Sequence, residues 1–69
     1  MNHVSKDVVN LALDHRWEYH MRQFDAELRW GRSLAATDLE SAKDHYNRAN
    51  VHLSICKVIT EIKLEVVIS

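Results

Sequence analysis

His52 and Cys56 stand four residues apart, which puts an imidazole and a thiol on one face of any helix that carries them. Such a pair is half of a zinc site, or a nucleophile beside its base. His45 shares the face but lies two turns away, about 10 Å, too far to reach the same ion. His20 completes a site only if an opposing helix brings it into register. Against the chemistry, Cys56 falls on an apolar seam, where a free thiol packs like a small hydrophobe. We therefore read Cys56 as core. The sequence predicts no catalytic residue, no cofactor and no metal, with His52 and Cys56 as the residues to watch.

The second cluster is His15-Arg16-Trp17-Glu18-Tyr19-His20, followed by Arg22, Arg29, Trp30 and Arg32. Arg, Trp and Tyr dominate binding hot spots because they join large apolar area to directed donors. Tyr19, Arg22, Arg29, Trp30 and Arg32 are the expected partner-binding residues. In the plainer reading Trp17 is core and the arginines are solvated partners of nearby acids. Nucleic-acid binding needs an uncompensated basic face. Residues 1–36 hold five basic and five acidic side chains, so a basic patch would have to be local. The five histidines add positive charge below about pH 6.5, which makes any association pH-sensitive.

Other chemistry is excluded by what the chain lacks. One glycine in 69 residues rules out nucleotide-binding glycine loops. No His-Glu-x-x-His, Cys-x-x-Cys, serine-elbow or Glu-x-x-His pattern occurs. A single cysteine cannot form an internal disulfide, and no window approaches ~20 apolar residues. With 46% apolar residues, 28% charged and a net charge of -1, the chain is expected to collapse into one small domain. The segment from Met1 to Asp7 does not read as a secretory signal, and the expected location is cytoplasmic.

Two long helices are the elements that must position these residues. There is no proline, and Gly31 is placed where a left-handed residue ends a helix. Thr37-Asp38-Leu39-Glu40 fits a capping box for the next one. The spacing predicts a helix over about 6–30 with Ser5 as N-cap, a turn over 31–37, and a helix over about 38–67. Glu18 with Arg22, Asp25 with Arg29, and Asp44 with Arg48 add acid-before-base support at about 0.3 kcal/mol each.

Each helix carries two apolar stripes. Leu39, Ala42, Tyr46, Ala49, Leu53, Cys56 and Thr60 make a heptad seam that should face Val9, Leu13, Trp17, Met21, Phe24 and Leu28 in an antiparallel hairpin. Left over are Val4, Val8, Ala12, Tyr19, Ala26 and Trp30 on the first helix, and Val51, Ile55, Ile59, Ile62 and Val66 on the second. A hairpin has one inside, so the surplus stripe is expected to self-associate through Val8, Ala12, Val51, Ile55, Ile59, Ile62 and Val66. The simplest product is a homodimer forming a four-helix bundle. A chain this short has a marginal core of its own, which makes oligomerisation a natural remedy.

Residues 58–68 resist the pattern. Ile62-Lys63-Leu64-Glu65-Val66 alternates strictly and the stretch is rich in β-branched residues, a strand signature. The helical period also survives there, so helix is the expectation and a strand pairing across a dimer the competitor. Overall the sequence predicts an all-α hairpin, non-enzymatic, binding itself and a larger protein as adaptor or inhibitor. The alternative is a dimeric nucleic-acid-binding regulator using an arginine ridge on the first helix; no membrane partner is expected.

Overall fold

A computed structural model describes the backbone of residues 5–68 and the side chains through Val66. The chain is an antiparallel pair of helices, α1 (Lys6–Leu34) and α2 (Leu39–Ile68), measuring 56 × 15 × 15 Å. Ser5 caps α1 as expected, its hydroxyl accepting from the Val8 amide at 3.2 Å. Val4 of the surplus stripe lies outside the described residues.

The turn differs from the expectation. Gly31 does not end α1: it sits inside the helix, and no residue among those described has a positive φ. Glycine is needed there for space, because a Cβ would stand 2.7 Å from Cε1 of Tyr46 on α2. The helix continues to Leu34, and the link is shorter than 31–37. The cap of α2 also moves by one residue. Asp38 accepts from the Ser41 amide at 3.1 Å and from its hydroxyl at 2.8 Å, while the Thr37 amide is spent on the Leu34 carbonyl. Those two donors hold the Asp38 carboxyl below its usual pKa. Of the three acid-base pairs, Asp25–Arg29 closes, at 3.0 Å.

The strand alternative for 58–68 is overturned, since α2 runs unbroken to Ile68. The β-branched residues are tolerated because tertiary packing, not propensity, supplies most helix stability.

The buried apolar residues among those described are few: Ala42 and Ala49 at 0% exposure, Cys56 at 3% and Ile59 at 7%. Ala42, Ala49 and Cys56 confirm the middle of the expected seam, but its edges were misplaced. Leu39 and Thr60 face water, and Ile59, assigned to the surplus stripe, is buried. At Cys56 the next contact falls three residues on, at Ile59, and not four on, at Thr60. The contact line runs through Ala42, His45, Ala49, His52, Cys56, Ile59 and Lys63, an unbroken three-four spacing. On α1 it runs through Leu13, Trp17, His20, Phe24, Glu27 and Gly31 in the same spacing. Polar residues interrupt both lines, His45, His52 and Lys63 on α2 and His20 and Glu27 on α1.

Candidate functional site

Those polar residues meet in pairs. Glu27 and His45, each one heptad from the central histidines, are joined by 2.6 Å between Oε2 and Nδ1, and both side chains are about four-fifths removed from solvent. Lys63 reaches Asp14 near the end of the hairpin away from the turn. At mid-length His20 and His52 approach with Nδ1 to Nδ1 at 2.8 Å. One ring must donate there and the other accept, so at least one imidazole is neutral. Loss of solvent at this contact, and then the charges of His52 and Arg16, hold the His20 pKa below its ordinary value.

Aromatic rings cover both pairs from the same side. Tyr19 meets His20 edge-on, centroids 5.1 Å apart at 84°. Trp30 stacks on His45, centroids 6.1 Å apart at 18°. These contacts place the surplus stripe of α1 beside the polar pairs. On α2, Ile55, Ile59 and Ile62 follow His52 at three, seven and ten residues, so the second stripe climbs the same flank. Val51, Ile55, Val58 and Ile59 line a shallow groove there of about 450 Å³. The two stripes therefore converge on one broad face of the hairpin, with His20, His52, Glu27 and His45 along its midline. Trp30 is 60% exposed, Val51 59% and Tyr19 52%. Val8, Ala12 and Ile62 are exposed as well, while Ile55 and Val66 are half-buried.

The expected partner-binding set divides. Tyr19 and Trp30 belong to the apolar face, whereas Arg22, Arg29 and Arg32 ride the outside of α1, where Asp25 neutralises Arg29. His52 and Cys56 divide too. The Cys56 thiol lies between the helices, donating to the Trp17 carbonyl at 3.6 Å, and burial pushes its pKa up. A protonated, enclosed thiol is neither a good nucleophile nor a ready ligand. Among the described residues no three His, Cys, Asp or Glu side chains gather as a metal site.

The register that His20 required is the one observed, opposite His52, whereas Glu27 and its pairing with His45 were not foreseen. The signal was present: Leu13-His20-Glu27 and His45-His52-Ile59 are heptad series. A search for apolar periodicity passes over it.

No family model, no curated protein and no solved structure matches this chain. Among the described residues no helix is long and apolar enough to cross a membrane.

Proposed function

We propose that the chain is a non-enzymatic protein-binding module of the cytoplasm, an adaptor or inhibitor of a larger protein, that works as a self-associated hairpin. Its simplest assembly is a dimer closing a four-helix bundle. One observation carries the reading. The chain exposes 5465 Å², while a compact monomer of 8.1 kDa exposes about 4500 Å². The surplus of about 1000 Å² is close to what one partner contributes to a stable protein interface.

A second copy is the occupant that fits the face. Among the described residues the apolar core of the isolated hairpin is only Ala42, Ala49, Cys56 and Ile59, and a cover supplied by the chain itself is present whenever the chain is made. The 56 × 15 Å side matches a standard interface in area. Once that side is covered, Arg22 and Arg32 remain exposed on the outside of α1 for the larger protein. The nucleic-acid reading is weaker because Asp25 neutralises the middle of its ridge.

The test is the melting temperature as a function of protein concentration, for the native chain and for Val51→Asp and Ile62→Asp. Both sites face water in one hairpin, so in a monomer the changes are nearly neutral. In the dimer each buries an unpaired charge. The native melting temperature should climb with concentration and the variants should lose that climb. A melting temperature independent of concentration for all three contradicts the reading, and tight, steeply salt-dependent duplex binding favours the regulator instead.

A further inference from the structure

We propose that His20 and His52 are half of a transition-metal site that a second copy of the chain completes, with one ion held by four imidazoles. The inference rests on the self-association reading above.

Two ligand nitrogens already converge. The Nδ1 atoms of His20 and His52 lie 2.8 Å apart, on different helices, with Tyr19 against one ring. In a tetrahedral site with metal–nitrogen bonds of about 2.0–2.1 Å, neighbouring nitrogens stand about 3.3 Å apart. Small side-chain rotations open the pair by the difference. The ring that donates in the His20–His52 contact takes its other tautomer, Nε2–H, and both Nδ1 lone pairs then face the ion. Any imidazole of the pair that is protonated gives its proton to water on binding the ion.

One chain supplies only these two donors, since no third candidate joins them among the described residues. The missing two follow from symmetry. His20 is the midpoint of Lys6–Leu34, and His52 lies within a turn of the midpoint of Leu39–Ile68. The pair also sits on the midline of the apolar face. Two copies packed through that face about a twofold axis place whatever occupies its centre against its own counterpart. The partner's imidazole pair then fills the remaining positions. Imidazole nitrogen selects zinc, copper or nickel over magnesium or calcium. Arg16, one turn before His20 on α1, is a nearby cation that opposes the ion.

Zinc titration of the metal-stripped chain, followed by calorimetry and by sedimentation, tests the proposal. One zinc per two chains, a dimer held more than tenfold tighter, no response to magnesium, and loss of binding in both His20→Gln and His52→Gln support it. The native stoichiometry decides the matter even if a variant misfolds. A dimer that ignores zinc, or binds one ion per chain with no change in mass, overturns the shared site and leaves self-association standing. A chain that stays single with and without zinc overturns both.

Discussion

A Cβ on Gly31 would meet the Tyr46 ring at 2.7 Å, so the one glycine of the chain leaves the space that the ring occupies. Gly31→Ala therefore sets two effects against each other. Alanine gains about 1 kcal/mol of helix propensity, and overpacking costs about 1–3 kcal/mol. The net effect should be a loss of about 1 kcal/mol in denaturant unfolding. In a Tyr46→Ala background the ring is gone, and the same Gly31→Ala change should stabilise. Stabilisation in the native background would contradict the packing described.

Glu27 and His45 should behave as one unit. Removing either leaves a partly enclosed polar group without its partner, and each alanine variant should lose about 1–3 kcal/mol. The double variant should lose clearly less than the two single losses combined. Simple additivity would mean that the 2.6 Å contact contributes nothing.

Stability should fall on acidification through His20. Its pKa is lower in the folded chain than the ordinary 6.5, so the unfolded chain binds more protons. The contribution is complete above about pH 6.5 and is lost as the pH drops from there through the folded value. The groups facing His20 are His52 from α2, and Arg16 and Tyr19 from α1. Urea midpoints of the native chain should decline between about pH 8 and about pH 5.5, and His20→Gln should flatten that decline. A profile identical in the variant would remove His20 as the cause.

Much of this architecture was legible in the residues, and the errors share one origin. The paucity of glycine and proline, the Ser5 cap and the Ala42-Ala49-Cys56 line specified a helical hairpin. Gly31 was misread because a lone glycine near a boundary has two uses, turn and close approach, and only the position of Tyr46 tells them apart. Ile59 was misassigned because a step of three or of four residues from Cys56 keeps a heptad equally well, and only the position of α1 tells them apart. The Glu27–His45 pair escaped notice because apolar periodicity treats both as solvent-facing, and the His20–His52 contact hung on register. The partners sit on different helices, 18 to 32 residues apart, and register alone brings them together.

Sedimentation equilibrium at neutral pH tests the central claim most directly, because it weighs the assembly. The account predicts a mass near twice 8.1 kDa that shifts toward the single chain in Ile62→Asp. A native mass of 8.1 kDa at every concentration, with the chain fully helical, would contradict it.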